Sequence, residues 1–369
     1  MLVALRLLCR ETFVDPEFVI ATASDGADRL ARLLDAAPCR ALDEGLALGE
    51  SVRRVQAAGV THCVTVGADV FDGSYDPVFS ARLLMLTDLL ACNNIKSVVN
   101  GFSFSTKPYP GLAQIFEQAS SHVVFNVRDP VSHRRFCKFS DAASTLTADV
   151  AFLLKPDSGS SEQVLDLVSW VGGERKNGRI VIGVNLHPLL IDLEQRHKLP
   201  ELIAEFDAAL QSLIGSQRVS VVLLEHDFRG VSADSHCLDF IEAMLRATGC
   251  SQFVYRSAQP MNAVELKTAV SCLDGVATGR MHLAIATLGV GVPVLVFGYK
   301  GKMEGLLEHF SLDSRLCISG PGLFDRRELL SALQLFVGGL EQMNRQVKLQ
   351  LPKVVELSRH NLSTFGYAV

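Results

Sequence analysis

No run of five like charges occurs in the 369 residues, and Lys plus Arg (35) fall short of Asp plus Glu (40), for a net charge of −5. That argues against nucleic acid as a partner, because such binding rests on a basic face that neutralises phosphates. Cys-x-x-Cys is absent as well. The nine cysteines stand singly, at 9, 39, 63, 92, 137, 237, 250, 272 and 317, and an odd number argues against a closed disulfide framework. Most have apolar neighbours and read as small core side chains. His133, His187 and His197 are scattered, and no His/Asp/Glu group has ligand spacing, so neither a metal nor a cofactor is expected. Long apolar runs are missing too. The longest, Leu283–Phe297, is interrupted by Gly289, Gly291 and Pro293 and falls short of the roughly 18–20 residues a bilayer span needs. No basic-then-apolar leader with a small-residue cleavage site is evident. These absences point to a soluble, cytoplasmic protein.

What is present is apolar side chain, 48% of the composition, with a mean hydropathy of +0.25. Such values fit buried parallel strands, which read as continuous apolar runs. Short β-branched runs alternate with segments of helical period, the signature of βα units. Strands are predicted at Phe18–Ala23, His62–Gly67, Lys96–Gly101, Val123–Arg128 and Leu146–Leu154. A second series follows at Ile180–Leu186, Val219–Leu224, Phe253–Arg256, Gly275–Thr278, Val292–Gly298 and Arg315–Ile318. The pattern pauses at Lys155–Gln163, where Pro, Gly and Ser cluster, and a basic turn is read at Gly172–Arg179. The chain is therefore divided into an N-terminal Rossmann-like domain (1–160), a C-terminal Rossmann-like domain (161–325) and a helical segment (326–369). An α/β fold of two parallel-sheet domains facing a cleft is predicted, with ligands beyond the carboxyl ends of the strands.

One segment is chemically conspicuous. In "GVATGRMHLAIATLGVGVPVLVF", residues 275–297, Arg280 and His282 interrupt an apolar run. If Gly275–Thr278 is a strand and Gly279 a turn, Arg280 and His282 point to one side, and a helix starting near His282 aims its N–H groups there too. Guanidinium, imidazole and helix-end amides together suit a phosphate or carboxylate. Tyr299 and Lys302 follow the next strand. A lone His here is commonly a cap and a lone Arg a surface charge, but burying an uncompensated guanidinium costs several kcal/mol, so the pair carries more weight. Arg128 and Asp129 after a first-domain strand read equally well as cleft residues or as a pair tying a loop. His226 and Asp227, ending "VSVVLLEHD", are candidate polar contacts of the second domain.

The run Asn262–Leu307 resembles the polysaccharide pyruvyltransferase family. It carries, in order, Glu265-Leu266-Lys267, Arg280-Met281-His282, Gly291-Val292-Pro293-Val294 and Tyr299 through Lys302. "VRDPVSHRRF" at Val127–Phe136 and "ADVAFLL" at Ala148–Leu154 are similar to the family's Arg-Asp-x-x-Ser and Asp-x-x-Phe blocks. The resemblance implies a GT-B-like pair of Rossmann-type domains. It also implies transfer of pyruvate from phosphoenolpyruvate to two hydroxyls of a sugar, forming a cyclic ketal. Arg280 and His282 would then be catalytic and, with Met281, Tyr299 and Lys302, donor-binding. Alanine at 280 or 282 is expected to abolish donor use and leave the fold intact. The acceptor would be a sugar or lipid-linked saccharide, which suggests peripheral contact with the inner face of the membrane.

Two departures concern the first domain. The chain opens at "MLVALRLL", inside what is usually the helix after a first strand and Gly-Asn-x-Gly-Asp loop. The family's triple-glycine turn is here "VGADVFDG", Val66–Gly73, keeping Gly67 but placing Ala68 and Asp69 where backbone is normally closely approachable. A nucleotide-sugar glycosyltransferase of the same fold is the nearest rival, and a non-catalytic sugar- or anion-binding protein the next. Against the glycosyltransferase, Leu283–Gly298 contains no acid to accept ribose hydroxyls.

Overall fold

The computed structural model describes all residues except 23–25, 120, 158–160, 299–300 and 367–369. The chain forms two compact units, Met1–Leu153 together with Val355–Val369, and Leu154–Val354.

The first unit contains α1 (Leu2–Thr12), β1 (Val19–Ala21), α2 (Gly26–Leu34), β2 (Ala37–Cys39), α3 (Leu48–Ala57), β3 (His62–Ala68), α4 (Pro77–Cys92), β4 (Lys96–Phe102), α5 (Leu112–Ala119), β5 (Val123–Val127), α6 (Pro130–Phe139) and β6 (Ser144–Leu146). Strands β3-β4-β5-β6 make a parallel sheet in sequence order, and β1 pairs with β2 apart from it. An aromatic core covers one face. Phe102, Phe116 and Phe136 are fully buried, with ring centroids 4.9–6.1 Å apart in stacked and edge-on arrangements.

The second unit continues with α7 (Glu162–Lys176), β7 (Ile180–Asn185), α8 (Leu199–Gln217), β8 (Val219–Leu223), α9 (Ser235–Ala247), β9 (Val254–Arg256), α10 (Ala263–Ser271), β10 (Gly275–Thr278), α11 (Met281–Leu288), β11 (Val294–Gly298), α12 (Glu304–His309), β12 (Cys317–Ser319) and most of α13 (Arg326–Arg359), whose end from Val355 belongs to the first unit. Its six parallel strands run β12-β11-β10-β7-β8-β9. The chain builds outward from β7 through β8 and β9, then returns to place β10 on the other side of β7. The order thus reverses between β7 and β10, where Thr278 pairs with Asn185. Such a switch point leaves a crevice at the carboxyl ends of its two strands. Every residue of β8, β10 and β11 is buried, which is why these strands read as unbroken apolar runs. Among the described residues no helix is long and apolar enough to cross a membrane.

Two local expectations are corrected. The strand expected over Leu146–Leu154 is only β6, followed by a 3₁₀ turn at Val150–Leu153. The Asp149 carboxylate accepts the Ala151 N–H at 2.9 Å and curls the chain out of the sheet. The turn expected over Gly172–Arg179 is mostly helix, since α7 runs through both glycines to Lys176. The break comes at Gly178, whose φ of +70° suits glycine. Ser158–Ser160 of the expected linker lie outside the described residues.

Candidate functional site at the switch point of the second sheet

Asp234 is the hub of the switch point, although the sequence reading gave it no role. It sits at the start of α9 without capping that helix; its carboxylate is fully buried and turns to the sheet. It accepts five N–H groups, from Asn185 Nδ2 (2.8 Å), His226 N (2.8 Å), Asp227 N (3.1 Å), Arg280 Nε (2.9 Å) and Arg280 Nη2 (2.6 Å). The ends of β7, β8 and β10 are thereby fastened to one anion. A second chain of bonds runs across the switch: Arg280 N donates to Thr278 Oγ1 (3.0 Å), and Thr278 Oγ1 to Asn185 Oδ1 (3.0 Å).

Arg280 is buried and fully engaged. Besides Asp234, its Nη2 donates to the Ser232 carbonyl, and its Nη1 lies 3.2 Å from Asp227 Oδ2. Asp227 is gripped in turn by Arg229, through Nε (2.9 Å), Nη2 (2.8 Å) and the backbone N–H (3.0 Å). Those hydrogen bonds, with help from the Arg280 charge, pull the Asp227 carboxyl down to about 2. Two guanidiniums and two carboxylates cancel. Arg280, Asp227 and Asp234 are buried, and their desolvation cost of several kcal/mol per ion is offset by mutual pairing and hydrogen bonds, whereas the Arg229 side chain reaches solvent; little positive charge remains on this cluster itself.

Three histidines surround the arginine. His187, fully buried just beyond β7, lies against Gly279, where a Cβ would stand 2.5 Å from its Nε2. Gly279 is therefore small to admit an imidazole, not to turn the chain. Burial, reinforced by the Arg280 charge, lowers the His187 pKa to about 3. Burial, with His282 and Arg280 nearby, does the same for His226, again to about 3. Both are neutral near pH 7, and His226 Nδ1 is buried without a hydrogen-bond partner. The His226 and His282 rings lie nearly parallel (5°), with centroids 6.4 Å apart. His282 is in the first turn of α11. Arg280 occupies that helix's N-cap with no side-chain cap bond and Met281 is the first helical residue, so the dipole and the first N–H groups point to this site.

Lys302, between β11 and α12, is 3% exposed; Tyr299 lies outside the described residues. Lys267 of the Glu-Leu-Lys segment is also buried, with Nζ 2.8 Å from where a Cβ on Gly289 would sit, at the C-terminal end of α11. A cation there complements the helix dipole, and Gly289 leaves room for it. The capping box at the head of α10, Asn262 with Glu265, accounts for the Glu of the same segment.

In the first unit, Arg128 and Asp129 serve the fold. Arg128 Nη1 is 3.2 Å from Asp149 Oδ2 and its Nη2 donates to Ser103 Oγ at 2.8 Å, all buried. Asp129 caps α6 by accepting Ser132 N–H at 2.7 Å, and Ser132 Oγ accepts Phe104 N–H at 2.9 Å. The two sequence blocks meet in this ion pair. Gly67 is a packing glycine, since a Cβ would come within 2.5 Å of Phe102 Cβ and 2.7 Å of the Asn100 carbonyl. Asp69 accepts the Tyr75 hydroxyl at 3.0 Å. Of the sequence candidates, Arg280, Met281, His282, His226 and Asp227 are brought together. Asp234 and His187 are the members that sequence reading missed; the buried Arg280, which needed counter-charges, was the one signal that could have prompted a search for Asp234.

The family model described as polysaccharide pyruvyl transferase matches residues 1–301. No curated protein sequence matches the chain. Among solved structures, a Listeria monocytogenes protein described as a UDP-N-acetylglucosamine 2-epimerase is similar at TM-score 0.60 and 13% identity, covering 100% of this chain and 94% of its own. The UDP-GlcNAc 2-epimerase of Neisseria meningitidis is similar at 0.58 and 11%, covering 98% and 96%. A UDP-forming trehalose-phosphate synthase from Burkholderia xenovorans is similar at 0.51 and 12%, covering 86% and 76%. At such identities the likeness speaks for the fold alone, which is of the GT-B class of α/β proteins.

Proposed function

Given that the chain belongs to the polysaccharide pyruvyl transferase family, we propose that it uses phosphoenolpyruvate as donor and forms a pyruvyl ketal on a sugar of a polysaccharide or surface glycan. The observation that carries this reading is the placement of Arg280 and His282 at the N-terminal end of α11, on the switch point of a Rossmann-type sheet.

The donor carries a carboxylate and a phosphate. With Arg280 already neutralised by Asp227 and Asp234, the anions are received by the α11 amides, by His282 and by Lys302. Arg280 contributes through its Nη1 edge, whose partner Asp227 has Arg229 as an alternative hold. Chemistry begins with a proton delivered to the methylene carbon, for which His282 is placed. The positive character left on the phosphate-bearing carbon is met by one sugar hydroxyl. Phosphate then leaves with its bonding electron pair, and a neighbouring hydroxyl closes the ketal. Of the two hydroxyl protons released, one replaces the proton spent on carbon and the other goes to solvent or phosphate. Neutral His226, its ring parallel to that of His282, adds no charge beside the donor. The protein needs no cofactor in this scheme. Its acceptor, a sugar or lipid-linked saccharide, would be met in the cytoplasm or at the inner face of the membrane.

Phosphate release from phosphoenolpyruvate in the presence of a panel of nitrophenyl glycosides tests the reading. A glycoside-dependent release, with a pyruvylated product seen by mass spectrometry, is expected. Hydrolysis of a nucleotide sugar with no use of phosphoenolpyruvate would move the protein to the glycosyltransferases.

A further inference from the structure

Asp88 and Cys92 sit one turn apart at the end of α4, on one face of that helix, and His122 stands immediately before β5. Their donor atoms converge. His122 Nδ1 is 3.1 Å from Asp88 Oδ1 and 3.7 Å from Cys92 Sγ, and Cys92 Sγ is 4.0 Å from Asp88 Oδ1. We propose that this triad is a binding site for a divalent transition-metal ion, zinc by its ligand chemistry, distinct from the switch-point site.

The distances carry the argument. An ion with metal–N and metal–O bonds of about 2.0 Å and a metal–S bond of about 2.3 Å, in tetrahedral geometry, holds N and O about 3.3 Å apart and S about 3.5 Å from either. The three measured separations lie within about half an ångström of those values before any ion is present, so side-chain adjustment alone closes the site. One sulfur, one imidazole nitrogen and one carboxylate oxygen form a mixed set that suits a borderline ion over magnesium or calcium, which favour oxygen cages. The position of His122 is fixed by its backbone N–H, which donates to the Ala119 carbonyl at 3.0 Å. Cys92 and His122 are exposed, so the fourth position opens to solvent and takes water. A hydrogen-bonded Asp–His pair beside an idle thiol would explain Asp88 and His122, with Ser121 Oγ as a further partner at 3.1 Å from Nδ1. Helix spacing alone brings Cys92 beside Asp88; the added convergence of its Sγ on His122 Nδ1, 30 residues along the chain, is what a metal site calls for. An ion here ties the end of α4 to the entry of β5 and stabilises the first unit by mass action.

Chelator-treated protein titrated with cobalt(II) tests the site. One equivalent is expected to produce a thiolate-to-cobalt charge-transfer band and the visible bands of tetrahedral cobalt. Zinc should displace it and raise the melting temperature. Both signals should vanish in Cys92→Ser, and the affinity should fall at least about tenfold in His122→Asn; both positions are exposed, so neither variant threatens folding. No charge-transfer band, or a band unchanged in Cys92→Ser and so arising from another pair such as Cys137 with His133, overturns the proposal.

Discussion

Arg280 donates both Nε and Nη2 to a single oxygen of Asp234, at 2.9 and 2.6 Å, in a place where the carboxylate has no solvent exposure. Removing either partner strands a buried charge. Asp234→Ala and Arg280→Ala are each expected to cost about 3–5 kcal/mol, and the double variant less than their sum. Urea unfolding of the three proteins measures this, and additive losses would show that the two side chains act independently. The expectation that alanine at 280 leaves the fold intact is thereby revised, and His282→Ala is the cleaner probe of function.

Gly279 and His187 form a second coupled pair, because a Cβ on Gly279 would stand 2.5 Å from the imidazole. Gly279→Ala should destabilise by about 1–3 kcal/mol through overpacking. Adding His187→Ala should return part of that loss. A Gly279→Ala melting temperature equal to the parent's would contradict the packing.

Stability should fall with acid in a window set by His187 and His226. Their folded pKa values, about 3, lie below the ordinary value of 6.5 because burial and the Arg280 charge disfavour the imidazolium. Between pH 6.5 and about 3 the unfolded chain binds protons that the folded chain refuses, so stability is fully present above 6.5 and declines as pH drops. Asp227, depressed to about 2 by Arg229, adds its own loss only below its unfolded value near 3.8. Unfolding free energies measured from pH 7.5 to 4.5 should decline, with a smaller slope in His187→Asn. A flat profile would mean that these imidazoles are solvated.

Arg128 and Asp149 tie two segments of the first unit inside the core, and Asp149→Asn should cost about 3–5 kcal/mol. The exposed Glu50–Arg53 pair on α3 supplies the contrast, since Glu50→Ala should leave the urea midpoint close to the parent's. Similar losses in the two variants would refute the distinction drawn from burial.

The sheets were legible because buried parallel strands advertise themselves as β-branched apolar runs, as "VSVVL" and "VLVFG" do. Arg280 and His282 were legible for the opposite reason, as polar groups in such a run. Asp234 was not, since an Asp before a helix reads as a cap, and only the structure shows it turned away from α9 towards Arg280. Nor was His187, because its proximity to Gly279 comes from the pairing of Asn185 with Thr278 across 93 residues. The strand expected at Leu146–Leu154 failed because one carboxylate–amide bond at Asp149 outweighed the apolar pattern.

The donor assignment is tested most directly by isothermal titration of the protein with phosphoenolpyruvate and, separately, with uridine diphosphate, in the parent and in His282→Ala. The account predicts saturable binding of phosphoenolpyruvate that weakens at least about tenfold in His282→Ala, a loss of about 1.4 kcal/mol or more, with an unchanged melting temperature. Binding of uridine diphosphate alone, or phosphoenolpyruvate affinity indifferent to His282, would contradict it.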